Sequence, residues 1–246
     1  MKILVLVKQL HESLDIFAIE QAAQIKDENP EAEIIIATFG NGEEADRRVI
    51  EGISIAGDKI YVISTEKDKL DAPQTASYIS CGIKKIEEVE GEFDLILLGN
   101  RSKDSQTGQI CTEIAEILSG NCATMVMDIK EKEKNVFKID RKTYGGIEKM
   151  EIDAPAVVGI TKPNYTVRLA NFVRIRMANR MEIGRIVVND EDFAKYLGKE
   201  EIPREHVILK EIIEPKERKR RLLINEDDDT EGARLLFNKL KKDKIL

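Results

Sequence analysis

The chain has 246 residues, 42% of them hydrophobic, which is room and material for one large domain or two small ones with a real core. The 39 basic residues face 46 acidic ones, and the net charge of -7 argues against a surface built to neutralise phosphate backbones, so no nucleic acid partner is expected. No apolar run approaches the length of a membrane helix, and the opening MKILVLVKQLHES has no small-residue cleavage site, so the expectation is a cytoplasmic protein without direct membrane insertion.

Cysteine and histidine usage narrows the chemistry further. Cys81, Cys111 and Cys122 show no CxxC spacing, and His11 and His206 are the only histidines, so a metal site is not expected. There is no GxSxG, HExxH, GxxxxGK[ST] or GxGxxG pattern, and no residue stands out as catalytic. The cysteines read as buried and inert, although a helix dipole would lower the pKa of Cys111. His11, just after the first apolar run, is a candidate ligand contact.

Ile3 to Val7, Ile34 to Thr38, Lys59 to Ile63 and Phe93 to Leu98 are short, nearly continuous apolar runs, the pattern of strands buried on both faces. Between them Leu14 to Glu28, Glu43 to Ala56 and Pro73 to Val89 repeat apolar residues at helical spacing. This alternation predicts an α/β fold with a doubly wound parallel sheet and helices on both faces, whose ligands sit at the carboxyl ends of the strands.

After Leu98 the polar loop Gly99, Asn100, Arg101, Ser102, Lys103, Asp104, Ser105, Gln106, Thr107, Gly108, Gln109 runs into an amphipathic stretch, Ile110 to Leu118. A first helical turn has unpartnered N–H groups at the positive end of the dipole, so Thr107, Gly108 and Gln109 are placed to hold a phosphate. The alternative is that Thr107 simply caps the helix.

Met125 to Ile129, Val136 to Arg141 and Ile147 to Ile152 alternate around Gly145-Gly146 and predict a small antiparallel section, followed by an apolar strand from Ala156 to Thr161. Residues 164–185 are amphipathic and basic, which reads either as a docking segment or as a solvated helix. Toward the end lie Val207 to Ile213, the basic block Lys216 to Arg221, the acidic block Glu226 to Asp229, and a last helix from about Thr230 to Leu240 capped by Asp229 or Thr230. The expected division is an α/β domain over 1–195 and a C-terminal arm over 196–246.

Several of these motifs together resemble the β subunit of electron-transfer flavoprotein, and the likeness runs over nearly the whole chain. Ile3 to Gln9 is similar to that family's first strand with its Lys-Gln, and Asp15 to Ala22 to its first helix, D/E-x-x-A-V-E-E-A. The loop Gly99 to Gln109 resembles G-K-Q-A-I-D-G-D-T-G-Q, matching at Gly99, Asp104, Thr107, Gly108 and Gln109. Arg141, Gly145, Gly146, Glu148 and Pro155 give a second, distant anchor.

The resemblance implies an electron carrier subunit without substrate bond chemistry of its own. It would form a heterodimer with an α subunit carrying FAD, and would dock a flavin dehydrogenase. This chain would bind an adenine nucleotide, AMP in most members and a second FAD in electron-bifurcating ones. The implied pocket is Leu6 and Lys8 after the first strand, Phe39 and Gly40 after the second, and the loop from Gly99 to Gln109. The implied docking segment, Tyr165 to Met177, offers Leu169 with Arg168, Phe172 and Arg174, and the C-terminal arm would pack on the α subunit.

Two departures stand out. Between Gln9 and Leu14 the family has a β-hairpin where this chain has only Leu10 to Ser13, and Arg101 and Lys103 add cations that suit a diphosphate. Two other classes share this kind of sheet. A stand-alone nucleotide-binding stress-type module is usually shorter and has no use for the antiparallel section. An ATP-pyrophosphatase enzyme would carry an S-G-G-x-D-S loop where Lys8-Gln9-Leu10-His11 stands.

Overall fold

A computed structural model of the chain describes residues 1–8, 14–67, 69–163, 165–198, 229–243 and 245. It divides into two compact units, residues 1–208 and 209–246. In the first, β1 (Lys2–Leu6), α1 (Asp15–Glu28), β2 (Glu33–Phe39), α2 (Gly42–Ile55), β3 (Lys59–Ser64), α3 (Ala72–Glu90) and β4 (Leu95–Gly99) alternate within two residues of the expected bounds. Then follow α4 (Ile110–Ile117), β5 (Asn121–Glu133), β6 (Val136–Thr143), β7 (Gly146–Asp153), β8 (Ala156–Ile160), α5 (Phe172–Ala178), β9 (Gly184–Val187) and α6 (Asp190–Leu197). In the second unit the helix α7 (Asp229–Lys242) is described, and it begins at Asp229, one residue ahead of its expected start. The expected elements over 207–221 and the acids at 226–228 lie outside the described residues.

One nine-stranded sheet runs in the order β7-β6-β5-β8-β4-β1-β2-β3-β9. From β8 to β9 every neighbouring pair is parallel, while β5, β6 and β7 form the antiparallel section. The β1 chain alternates cleanly, with Ile3, Val5 and Val7 packing in the same cluster as α1 and α2, and Leu4 and Leu6 with α3, α4 and α6. Burial on both faces is what makes these strands read as unbroken apolar runs. Among the described residues no helix is long and apolar enough to cross a membrane.

The largest difference from expectation lies after Thr161. The basic stretch over 164–185 contains only the two-turn α5, and its end enters β9, a strand at the sheet edge pairing with Tyr61 to Ser64. Only two of its four side chains are partly buried, too short an alternation to read as a strand. Helix α6 straddles residue 195 and drives Phe193 edge-on into the Tyr78 ring at 4.9 Å, while the Tyr78 hydroxyl donates to Asp190.

Candidate functional site

The strand order places a switch point between β1 and β4. From β1 the chain winds outward through β2 and β3, then returns to β4 on the other side, and the helices after β1 and β4 cover opposite faces. The strand exits therefore diverge and leave a crevice, the place where open α/β sheets bind ligands.

Asp15, the first residue of α1, fixes this edge. Its Oδ2 accepts the Lys8 N–H at 2.7 Å and its Oδ1 the Gly99 N–H at 3.1 Å, so one carboxylate that is 8% exposed ties the exits of both strands. A Cβ on Gly99 would stand 2.4 Å from Asp15 Oδ1, so only glycine permits this approach. On the far side of β1 the Thr38 hydroxyl donates to the Val7 carbonyl at 2.6 Å. Neither Asp15 nor Thr38 was singled out as a site residue. The available signal was an acid opening the otherwise apolar first turn of the helix that follows the first strand.

The loop after β4 is anchored at its base by Asn100. Its backbone N–H donates to Ile160, its Oδ1 accepts from the Met125 N–H at 2.8 Å, and its Nδ2 approaches the Met125 sulfur. Met125 has a positive φ of 59° at an irregularity of β5. Asn100 thus has its side chain turned inward, which differs from the nucleotide contact implied by the resemblance: its amide satisfies a backbone that β5 leaves unpaired. Gly159 makes room for it, since a Cβ there would lie 2.9 Å from Asn100 Oδ1.

Lys8 and Asp104, both expected to face a nucleotide, pair with each other at 2.6 Å across the mouth of the crevice. Lys8, with the Ser102 hydroxyl and the Ser105 N–H, holds the Asp104 carboxyl well below the usual carboxylate range. The pair draws the loop over the exit of β1. Ser105 also shares a hydrogen bond with Ser102 through their hydroxyls, and Gln106, at φ 54°, reaches the Lys103 carbonyl with its side chain. Leu6 packs its side chain into the core, and Phe39 stacks beside Tyr78 with centroids 6.4 Å apart, so neither offers a polar group. Gly40 donates its N–H to Ile63.

The start of α4 differs from a side-chain cap. The helix is entered through Gln109, no side chain caps it, and Thr107 is exposed two residues earlier. The first-turn N–H groups consequently remain available to an anion. Gly108 sits at φ 69°, where a Cβ would press on the Asn100 carbonyl at 3.3 Å, and this lets the loop fold flat against its own base. Arg101 is exposed and makes no ion pair with a described residue. Together these features fit a phosphate-bearing group. His11 and the shortened segment from Leu10 to Ser13 lie outside the described residues.

A second surface is built by the segment after β8. The Tyr165 hydroxyl lies 3.2 Å from the Phe17 carbonyl and from Gln21 Oε1, and burial pushes its pKa up. Arg168 donates to Glu20 through its backbone, Nε and a terminal nitrogen at 2.9 to 3.2 Å, and to Asp27 at 2.7 Å. Burial would raise the Glu20 pKa, but the bonds from Arg168 outweigh it and hold the carboxyl low. Arg174 donates to the Ile53 and Gly57 carbonyls at 3.1 and 3.0 Å, satisfying the end of α2. The arginines expected at a docking face therefore point inward and serve as anchors, because α1 offers them acids and α2 offers bare carbonyls. What projects outward includes large apolar side chains, with Leu169 93% and Phe172 91% exposed, flanked by Val173 and Met177 and by the exposed Arg176 and Arg180.

Beside the second surface, and sharing Tyr165 with it, an open concavity of about 340 Å³ lies between α1 and the antiparallel strands, lined by Gln24, Asp128, Lys130 and Asp140 among others. Its acids are answered by Lys130 and Lys149, which marks a solvated saddle. Among the described residues no cluster of side chains has the make-up of a metal site.

The strand order and the helices on both faces define a doubly wound α/β protein. Residues 6–195 match the family model for the electron transfer flavoprotein domain, and the chain belongs to that family as a β-type subunit. It is 28% identical over 227 residues to the mitochondrial electron transfer flavoprotein subunit beta of Arabidopsis thaliana, covering 92% of this chain and 82% of the relative. The corresponding subunit of Bacillus subtilis is 26% identical over 233 residues, with 93% and 84% covered. A subunit of the caffeyl-CoA reductase-Etf complex, CarD of Acetobacterium woodii, is 32% identical over 149 residues, a match spanning 60% of this chain and 55% of CarD.

Proposed function

We propose that this chain is the nucleotide-binding subunit of a heterodimeric electron carrier, holding AMP or FAD in the crevice between the exits of β1 and β4. One observation carries this reading: a glycine-bearing polar loop, clamped to β1 by the Lys8–Asp104 pair, delivers an uncapped helix N-terminus to the switch point of a parallel sheet. Gly108, Gln109 and the first turn of α4 would receive a phosphate, with Thr107 beside them. Asp15 and Asn100 hold the loop ends, and Lys8 and Asp104 position the loop. The chain supplies no catalytic group. Electron transfer belongs to the flavin of an FAD-bearing α subunit, and the apolar face of Leu169 and Phe172 docks a flavin dehydrogenase.

Arg101 favours a second reading within the same class. An exposed cation at the loop start suits a diphosphate, hence FAD in this chain and a bifurcating role. The test is to denature the protein purified with its α subunit and to count the released nucleotides by mass and absorbance. AMP with one FAD per heterodimer supports the simple carrier, and two FAD support the second reading. One FAD with no AMP would overturn nucleotide binding by this chain.

A further inference from the structure

Two of the three cysteines meet in space. Cys111 lies in the first turn of α4, and Cys122 is the second residue of β5. In the parallel ladder Cys122 pairs with Val157, which packs in the α3 and α4 cluster together with Cys111, whereas the next residue, Ala123, packs in the α1 cluster. Alternation thus turns the Cys122 side chain toward α4. The Cys111 sulfur lies 3.8 Å from the Val157 carbonyl and 4.0 Å from that of Ala123, the ladder partner and the next neighbour of Cys122, so the two cysteines share one side of the sheet beneath α4.

Their environments differ in a way that sorts their roles. Cys111 is 1% exposed and Cys122 is exposed. The neighbouring Cys111 thiol lowers the Cys122 pKa to about 7 against the opposing effect of burial, and the charge of Arg141 adds to the lowering. The proximity of Cys122, together with burial, pushes the Cys111 thiol up, so it keeps its proton. This departs from the expectation of a buried, inert cysteine at Cys122, while Cys111 is buried as expected. Cys122 is solvent-facing, and a thiolate held beside a protonated thiol is the arrangement of an attacking and a resolving cysteine.

We propose that Cys111 and Cys122 form a redox-convertible dithiol that a hydroperoxide closes into an intrachain disulfide joining α4 to β5. The Cys122 thiolate attacks an oxygen of hydrogen peroxide, the O–O bond breaks, and the leaving hydroxide takes up from solvent the proton that the Cys122 thiol had lost, so a sulfenic acid forms with release of water. The Cys111 sulfur then attacks the Cys122 sulfur, the S–O bond breaks, and a second water leaves with the Cys111 proton. Two thiols lose two electrons and two protons, and hydrogen peroxide becomes two waters. Cys111 adjoins Gly159, where a Cβ would lie 3.3 Å from its sulfur and 2.9 Å from Asn100 Oδ1, so the switch sits at the foot of the loop from Gly99 to Gln109.

The test treats the reduced full chain, with any partner and cofactor it carries, with graded hydrogen peroxide, followed by intact mass and peptide mapping. The expected result is a loss of two hydrogens per chain, a linked peptide containing Cys111 and Cys122, full reversal by dithiothreitol, and Cys81 recovered as a thiol. Cys122→Ser, at an exposed position, abolishes the mass loss. Cys111→Ala leaves Cys122 as a sulfenic acid that dimedone traps. Oxidation of the unmodified protein at Cys122 to sulfinic or sulfonic acid with Cys111 still a thiol would overturn the proposal. So would the absence of any reaction at doses that oxidise Cys111→Ala. These readouts report on the thiols and do not depend on which nucleotide is bound.

Discussion

Replacing Asp15 with Asn removes the charge from the carboxylate that closes the switch point while keeping its shape. In the native chain two acceptor oxygens receive two backbone donors, Lys8 at 2.7 Å and Gly99 at 3.1 Å. An asparagine presents one oxygen and one NH₂, so one of the two N–H groups must face another donor. Hydrogen bonds to a charged group are worth roughly 1.5–3 kcal/mol, and an orphaned buried donor costs about 1–3 kcal/mol. At 8% exposure water offers little compensation, so the combined loss is about 3 kcal/mol, close to a hundredfold in the folding equilibrium. Urea unfolding followed by circular dichroism should show a lower midpoint with an unchanged slope. The proposed nucleotide should be lost well below the unfolding midpoint, because the strand exits part first. A stability change under about 0.5 kcal/mol, the level of an ordinary surface substitution, would refute the reasoning.

Arg168→Ala leaves Glu20, whose side chain is 5% exposed, without its main partner; the expected cost is about 2 kcal/mol, concentrated in the segment after β8, and Arg168→Lys restores only part. Limited proteolysis should cut near Leu169 first. Because the folded Glu20 carboxyl is held below its ordinary value, its stabilisation is complete above about pH 4.3 and is withdrawn as the pH falls through the lowered value; hydrogen exchange of residues 165–178 should rise over that acid range and not above it. Gly159→Ala drives a methyl against Asn100 Oδ1 and Cys111 Sγ and should cost about 1–3 kcal/mol in thermal or urea unfolding, together with weaker nucleotide retention. Lys8→Gln breaks a half-exposed ion pair and should change stability by less than about 1 kcal/mol, while carboxyl titration by NMR shows Asp104 moving up toward the ordinary range.

The parallel part of the fold was legible because its strands are buried on both faces, and their apolar runs have no other reading. Strand β9 was hidden by its shortness and its edge position, where Arg185 and Val187 face outward. The loop from Gly99 to Gln109 was legible as a loop by its polarity between an apolar strand and an amphipathic helix. Its internal pairings were not, since Lys8 and Asp104 lie 96 residues apart and nothing local couples them. Counting charges likewise marked Arg168 and Arg174 but left their direction open. Direction was decided by Glu20 and Asp27 on α1 and by the bare carbonyls of α2, partners more than a hundred residues away. The general tendency of cysteine to be buried does not hold at Cys122, whose place at the start of β5 leaves it open to solvent.

Helix α1 serves as a common mount. Asp15 at its tip holds the exits of β1 and β4, Gln21 brackets the Ile129 backbone of β5 at 2.9 and 3.2 Å, and Glu20 grips Arg168 of the segment that presents Leu169. Asp15 and Glu20 are five residues apart, a rise of about 7.5 Å along one rigid rod. The stand-off between the proposed nucleotide crevice and the proposed docking face is therefore set by helix pitch. Neither loop can wander relative to the other without bending that rod, so a partner on Leu169 and Phe172 would meet the crevice at a fixed reach.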